Sequence, residues 1–242
     1  TEPTAGLDVP FGDSVIKGSE TGTDQTLTGN TGVTGAGQSV TATIGGTDYI
    51  GTVNNDGSWS VTLPAGSLQN LPQGSNDITV VITDPAGNSS TSTTPVNVAT
   101  AAPALTVTPP DATLNQDDVT QPLILSGVSA DSQSVTVTLN GVTYNTTVNP
   151  DGSWNVNIPA SDLQQLTDGD YTLGVVATDR YGNSTTQSFP LAVDATPPTA
   201  TVNPLGGDGY VNAGEVGQPL VITGTTQPGS TVLVRFDSVD VP

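Results

Sequence analysis

Apolar and polar residues alternate along much of this chain. The clearest runs are residues 40–44 and 135–139, in which an apolar residue occupies every second position. A period of two places alternate side chains on one buried face of a β-strand. Thr and Val, which fill many of these positions, favour strands because they are β-branched. Helical periodicity is almost absent, so the pattern predicts an all-β protein, and we interpret residues 232–234 as a further strand.

Gly, Pro, Asn and Asp interrupt these runs about every 8–12 residues, as in an antiparallel sandwich. Residues 101–195 contain seven predicted strands, the number found in an immunoglobulin-like β-sandwich. A long acidic loop, residues 109–121, follows the first strand, and residues 160–165 predict a short helical turn. The dipeptide Asn140-Gly141 predicts a hairpin. The strands are predicted at residues 104–107, 123–126, 134–139, 143–148, 154–158, 171–178 and 185–193.

One block of sequence occurs twice at a fixed spacing and begins a third time. Asp-Gly-Ser-Trp starts at residue 56 and again at residue 151, which is 95 residues later (151 − 56 = 95). Thr-x-Pro-Thr, at the start of the chain, returns at residue 196. Such a period predicts an array of similar domains. The fold class is therefore tandem Ig-like sandwiches: repeat one (1–100), repeat two (101–195) and the N-terminal part of repeat three (196–242).

Repeat three stops before its own Asp-Gly-Ser-Trp. About half a sandwich cannot close a core by itself, so we expect a longer parent protein; the alternative is that the segment borrows strands from another molecule. Repeat one carries an insertion, because residues 30–38 are three residues longer than residues 128–133. Positions before this insertion correspond at an offset of 98 residues, and later positions at 95.

Each of the first two repeats has a tryptophan directly after a tight turn, Trp59 and Trp154. We interpret both as core aromatics; the alternative, stacking platforms for sugar, would place them a domain apart, too far for one small glycan. Tyr171 begins a predicted strand where Ig-like folds can carry a tyrosine corner. Repeat one has Asn76 there, so the two repeats do not share this feature.

Cysteine, histidine and methionine are absent. Their absence excludes disulfides, thiolate metal sites and a Ser/His/Asp catalytic set. Asp117 and Asp118 could imitate the carboxylate pair of a glycosidase, but they lie in a turn-rich loop without an evident cleft. We therefore predict that the chain is not an enzyme.

The charge is one-sided, with 23 acidic and 3 basic residues and a net charge of −20. Nucleic acid is excluded as a partner because phosphate binding needs a positive surface. No apolar run is long enough for a membrane span. Most of the acids are Asp, which favours turns and is also a typical oxygen ligand of calcium. The charge indicates a solvated surface that divalent cations could partly neutralise.

Three motifs follow one another in repeat two: Asp-Gly-Ser-Trp-x-Val from residue 151, Pro-Ala-x-x-Leu-x-x-Leu from residue 159, and Thr-Asp-x-x-Gly-Asn from residue 178. With the loop at 208–215, they resemble the bacterial immunoglobulin-like repeats of giant RTX-type and biofilm-associated adhesins, over the whole chain. The resemblance implies a protein exported by a type I system to the bacterial surface. It also implies that many repeats hold a terminal ligand-binding region away from the cell, with calcium making the junctions rigid.

The loop between the first and second strands of each sandwich, the A–B loop, carries two acidic residues seven positions apart. Asn115 and Asn212 lie between the acids in repeats two and three, whereas repeat one has Lys17 there, a departure that weakens or alters its site. The acidic pairs are Asp13 with Glu20, Asp111 with Asp118, and Asp208 with Glu215.

The loop between the sixth and seventh strands, the F–G loop, repeats an Asp-x-x-x-Asn pattern: Asp84 with Asn88, and Asp179 with Asn183. The two loops lie at opposite ends of a sandwich, so the A–B loop of one repeat should meet the F–G loop of the next. Two loops and a linker can supply the six to eight oxygens that calcium takes. The alternative is that these residues only form turns.

We predict structural Ca²⁺ at the domain junctions. At the junction of repeats one and two, the predicted ligands are Asp13, Glu20 and Asp179, with Asn183 or a backbone carbonyl assisting. At the junction of repeats two and three, the linker residue Asp194 joins the acids of the repeat-two A–B loop. The F–G residues of repeat one would face a preceding repeat.

The sequence thus predicts monomeric extender repeats of a large cell-surface adhesin, in contact with neighbouring repeats and projecting a distant region whose ligand it does not identify. One alternative is a module that itself binds glycan or a host protein, which would need an exposed aromatic cluster or groove. Another is assembly through a sheet edge, with repeat three recruiting a partner strand.

Overall fold

The computed structural model describes residues 2–34, 37–236 and 239–241. Residues 35 and 36, inside the insertion of repeat one, lie outside the described residues. Helix is limited in the described part to short elements, none long or apolar enough to cross a bilayer. They are α1 (Gly18–Thr21), α2 (Ala160–Leu163) and the 3-10 turns Pro10–Gly12, Asp118–Thr120 and Leu205–Gly207.

Repeat one folds into two layers joined along one edge. Its strands are β1 (Gly6–Leu7), β2 (Val15–Lys17), β3 (Gln25–Asn30), β4 (Ser39–Ile44), β5 (Thr47–Val53), β6 (Ser58–Leu63), β7 (Gly74–Thr83) and β8 (Ser89–Ala99). They follow the order β1-β3-β6-β5-β4-β7-β8-β2, and β5 joins the layers because it pairs with both β4 and β6. Strand β2 runs parallel to β8, and the other pairs are antiparallel.

Repeat two has the same strands in two separate sheets, ordered β14-β11-β9 and β10-β16-β15-β12-β13. Again one pair, β10 with β16, is parallel. The strands are β9 (Thr106–Thr108), β10 (Thr113–Asn115), β11 (Leu123–Val128), β12 (Ser132–Leu139), β13 (Val142–Thr147), β14 (Ser153–Ile158), β15 (Gly169–Asp179) and β16 (Ser184–Asp194).

Repeat three forms two small antiparallel strand pairs, β17 (Ala200–Val202) with β18 (Gly224–Thr226), and β19 (Val234–Phe236) with β20 (Val239–Val241). Its apolar side chains are largely exposed, for example Val202 at 69% and Val221 at 72%. The strand interpreted at residues 232–234 starts later than expected, because residues 232 and 233 precede β19 and are exposed.

The alternating pattern has the burial it predicts. Strand β4 buries Val40, Ala42 and Ile44, and β12 buries every second residue in the same way. All seven strands predicted in repeat two are present, and the Asn140-Gly141 hairpin joins β12 to β13. The prediction of an uninterrupted acidic loop at residues 109–121 was wrong, because this segment contains β10. Repeats one and two each have a hydrophobic core of their own.

The two tryptophans are core residues, as expected, because each is only 2% exposed. Each lies against a glycine on the facing strand. A Cβ at Gly127 would lie 2.7 Å from the indole of Trp154 and 2.0 Å from the carbonyl oxygen of Thr106, so only glycine fits. Buried indoles cannot act as sugar-stacking platforms. Tyr171 forms the predicted corner, accepting the Thr167 N–H at 3.0 Å and donating to the Thr167 carbonyl at 2.9 Å.

Candidate inter-repeat junctions

The short parallel strand in each A–B loop brings that loop to the end of the last strand. In repeat one, Lys17 of β2 is the register partner of Ala99, the final residue of β8. In repeat two, Asn115 of β10 is the partner of Asp194, the final residue of β16. The central residues of the two short strands, Ile16 and Leu114, are buried in the cores. The acidic loop is thereby fixed beside the linker to the next repeat.

The second acid of each pair has the same role in all three repeats. Glu20 accepts the backbone N–H of Lys17 at 2.8 Å. The other two acids accept the N–H of the asparagine three positions before them, each at 2.9 Å: Asp118 from Asn115, and Glu215 from Asn212. These carboxylates close the loop as turn-forming residues do.

The first acid of each pair differs between repeats. The Asp13 carboxylate accepts the Val15 N–H at 3.0 Å and forms an ion pair with the Lys17 ammonium at 2.6 Å. The hydrogen bond from Lys17 is the main cause that lowers the pKa of Asp13 below its usual value. Asp208 accepts the Tyr210 N–H at 3.0 Å, and Asp111 lies exposed at the start of its loop.

The F–G loops of repeats one and two have the same internal hydrogen bonds. Asp84 accepts the N–H groups of Ala86 and Asn88, both at 2.9 Å, and the Asn88 carboxamide at 2.8 Å. The Asn88 side chain is the main cause that lowers the pKa of Asp84. Asp179 repeats this arrangement, accepting the Asn183 N–H at 2.9 Å and the Asn183 carboxamide at 2.8 Å. Both aspartates therefore order their own loops.

The F–G loop of repeat two contacts the A–B loop of repeat one, at the first junction. The Asn183 carboxamide oxygen accepts the Gly18 N–H at 3.1 Å, and its nitrogen donates to the Ala99 carbonyl at 2.8 Å. Asn183 is 9% exposed, whereas its counterpart Asn88 is exposed. A single side chain thus joins a loop, a linker and the next repeat.

A second contact, which the sequence analysis missed, holds the linkers. Gln73 accepts the N–H groups of Thr100 at 3.1 Å and Ala101 at 3.3 Å. Its counterpart 95 residues later, Asp168, accepts the Ala195 N–H at 2.8 Å. A hydrogen bond with Thr196 is the main cause that lowers the pKa of Asp168. The matching spacing could have pointed to this pair, but the side-chain types differ.

The second junction contains an open cleft of about 400 Å³. The A–B loop of repeat two, the linker and residues 227–230 of repeat three line it, and the lining includes Asn115, Asp117 and Asp194. No basic side chain is among the described residues that line this cleft. It is therefore rich in oxygen donors and negatively charged.

The two junctions differ in how well they fit a calcium ion. Nowhere among the described residues do three or more acidic side chains converge as a ready metal site. At the first junction, the Asp13 carboxylate is already paired with the Lys17 ammonium, so a cation competes for this acid. The second junction offers carboxylate, amide and backbone oxygens without a competing cation, which is the type of donor that calcium prefers.

The family of the chain follows from comparison with known proteins. The bacterial Ig-like domain family matches residues 12–100 and residues 106–195, one match in each of the first two repeats. The chain therefore belongs to the bacterial Ig-like domain family. Such domains in adhesins are structural modules without enzymatic activity. A comparison with curated proteins gives no significant match.

Several solved structures of adhesins are similar to this chain. A Ca²⁺-stabilized adhesin that helps an Antarctic bacterium reach out and bind ice is 30% identical, with a TM-score of 0.50, over 94% of this chain and 59% of that one. A 1.5-MDa bacterial ice-binding adhesin is 29% identical, with a TM-score of 0.45, over 94% of this chain and 76% of the other. A tetra-tandem repeat from the extending region of a large adhesion protein is 29% identical, with a TM-score of 0.37, over 85% of this chain and 53% of that one.

The chain thus spans about three fifths of the first of these structures, at 59%. Domains of bacterial adhesins are therefore among the structures to which this chain is similar.

Proposed function

We propose that this chain is a run of extender repeats in a larger bacterial adhesin. Calcium stiffens its junctions, and the array projects a distant ligand-binding region for adhesion and biofilm formation. Export to the cell surface by a type I system belongs to the same proposal. The observation that carries it is the Asn183 contact, since a spacer acts through the stiffness of its junctions and this side chain bonds both the A–B loop and the linker.

The linkers support a stiff array. Each linker leaves the last strand of one repeat and is held at once by a side chain of that repeat, Gln73 or Asp168. A linker held by backbone hydrogen bonds is restricted in a way that a free Gly/Ser-rich linker is not. These bonds, each worth about 0.5–1.5 kcal/mol, oppose bending at the linker residues that they hold.

Calcium is proposed chiefly at the second junction. Asp117 and Asp194, which line the cleft, would supply carboxylate oxygens, with Asn115 and backbone carbonyls. Asp111 and Asp118 belong to the same A–B loop but do not line the cleft, and we propose that they complete the set when the ion binds. A bound ion would neutralise part of this charge and tie the loop to the linker. The related Antarctic adhesin is described as Ca²⁺-stabilized, which supports the same role here.

The same loop recurs in repeat three. Glu215 and Asn212 have the hydrogen bonds of the repeat-two loop, and Asp208 binds the Tyr210 N–H as Asp13 binds that of Val15. We propose that Asp208 and Glu215 serve a junction of the same type. Asp84 and Asn88 of repeat one have the internal bonds of the Asp179 loop, and we propose that they meet the A–B loop of a preceding repeat.

The proposal is tested by calcium binding and particle length, measured together on the full chain. Isothermal titration calorimetry should detect calcium binding, and small-angle X-ray scattering should show a longer, better-defined particle with calcium than with EGTA. The double variant Asp118→Asn, Asp194→Asn should weaken binding about tenfold or more.

Asp77→Asn is the matched control, because it removes one exposed carboxylate on β7 and should leave binding unchanged. Absence of calcium binding, together with identical scattering in calcium and EGTA, would refute calcium stiffening.

A further inference from the structure

Lys17 is one of only three basic residues in the chain, and it lies in the A–B loop at the first junction. Its ammonium is 2.6 Å from the carboxylate of Asp13. Its backbone N–H is bound by Glu20 at 2.8 Å. The negative charges of Asp13 and Glu20, with the Asp13 hydrogen bond as the largest cause, raise the pKa of Lys17. A positive charge is therefore held at the Asp13 carboxylate, in the loop that Glu20 closes.

The same loop supplies the donor for the inter-repeat contact. Gly18 directly follows Lys17, and its N–H bonds to Asn183 of repeat two at 3.1 Å. The approach is close: a Cβ at Gly18 would lie 2.5 Å from the Asn183 carboxamide oxygen. The donor depends on the shape of the loop, because Asp13 and Glu20 hold the residue immediately before it.

Equivalent positions in the second junction have a different charge. Lys17 corresponds to Asn115, Gln73 to Asp168, and Ala99 to Asp194. The acidic pair itself is kept in both loops. The second junction therefore gains acids around the pair and loses the basic side chain between them.

We propose that Lys17 is a built-in cation of the first junction, which takes the place of a divalent ion beside the acids of the A–B loop. The first junction then keeps its geometry without calcium. This inference rests on the proposed function only for the comparison with the second junction. The array would combine one junction that is stiff with or without calcium and one junction whose stiffness depends on calcium.

The test uses distances between spin labels in the full chain, which contains no native cysteine to interfere. Cysteines at Thr62 and Asn157, exposed and equivalent positions of repeats one and two, report on the first junction. Cysteines at Asn157 and Val202 report on the second junction. Each distance distribution is measured with calcium and with EGTA.

With Lys17 present, the first-junction distribution should be equally narrow in calcium and in EGTA. Lys17→Asn, which creates the residue type found in the other two loops, should broaden it about twofold in EGTA and let calcium narrow it again. Lys17→Arg keeps the charge and should remain narrow in both conditions.

Three outcomes would overturn the inference: broadening of the native first junction in EGTA, no change for Lys17→Asn in EGTA, or a Lys17→Asn junction that stays broad in calcium. The second pair of labels distinguishes failure of the proposed calcium site from failure of the proposed role of Lys17. A second junction that ignores calcium contradicts the proposed calcium site, whereas the first-junction results alone decide the role of Lys17.

Discussion

The two junctions of this chain have the same backbone plan but different chemistry. At both, a short parallel strand places the A–B loop beside the linker. The side chain directly before β7 or β15, Gln73 or Asp168, accepts N–H groups of the linker. The first junction then adds a neutral carboxamide contact and a lysine, whereas the second has an acidic cleft. The difference shows that a repeated fold can set stiffness junction by junction, through a few side chains.

The strongest way to break the first junction is Asn183→Ala. The change removes the bonds to Gly18, Ala99 and Asp179 and leaves partly buried groups without partners, which costs about 1–3 kcal/mol. We expect faster hydrogen exchange of the Gly18 amide and a broader first-junction distance distribution.

The matched control is Asn88→Ala, which loses the same bond to its own aspartate in repeat one but no contact with another repeat. An equal effect of both changes on the Gly18 amide would show that the Asn183 contact does not join the repeats.

A smaller effect is expected from Gly18→Ala. The added Cβ would lie 2.5 Å from the Asn183 carboxamide oxygen, which is the end of a side chain that can shift, so the cost should be about 1 kcal/mol. Thermal unfolding should shift downwards and the first junction should broaden. Gly22→Ala is the control in the same loop, because a Cβ there meets no atom within 4 Å. If Gly22→Ala lowers stability as much as Gly18→Ala, close contact is not the cause.

The smallest expected effect is the pH dependence of the linker contacts, because Asp168 titrates and Gln73 does not. Asp168 has a pKa below its usual value of 3.8, so its contribution to stability is complete above that value and is lost as the pH falls through the lower, folded-state pKa. Gln73 does not titrate. Between pH 5 and pH 2, second-junction distances should therefore broaden more in the native chain than in Asp168→Asn, whose amide keeps an oxygen acceptor at every pH. Identical acid broadening in both chains would exclude Asp168 as the cause.

The sequence was sufficient to predict the sandwiches because their signals are local. Alternation at residues 40–44 and 135–139, and the paired turns before Trp59 and Trp154, depend on neighbouring residues alone. It was also sufficient to expect that A–B and F–G loops meet, because this follows from the ends of a sandwich.

What the sequence did not provide was the partner of each side chain. Strand β10 has only three residues, too few for a period of two to stand out, and it forms because β16 offers a free edge. The Gln73 and Asp168 contacts were missed because an amide and a carboxylate in equivalent positions share hydrogen-bonding capacity rather than residue type. The pairing of Lys17 with Asp13 was likewise invisible, although Lys17 stood out as a departure.

We expect the junctions to control the stiffness of this array, each by its own chemistry. The most direct test measures both label pairs in the same background, with calcium and with EGTA. The distance distribution across the first junction should be narrow in both conditions, and that across the second junction should be narrow only with calcium. Two junctions that are equally broad in both conditions would contradict it, because the repeats would then be flexibly linked.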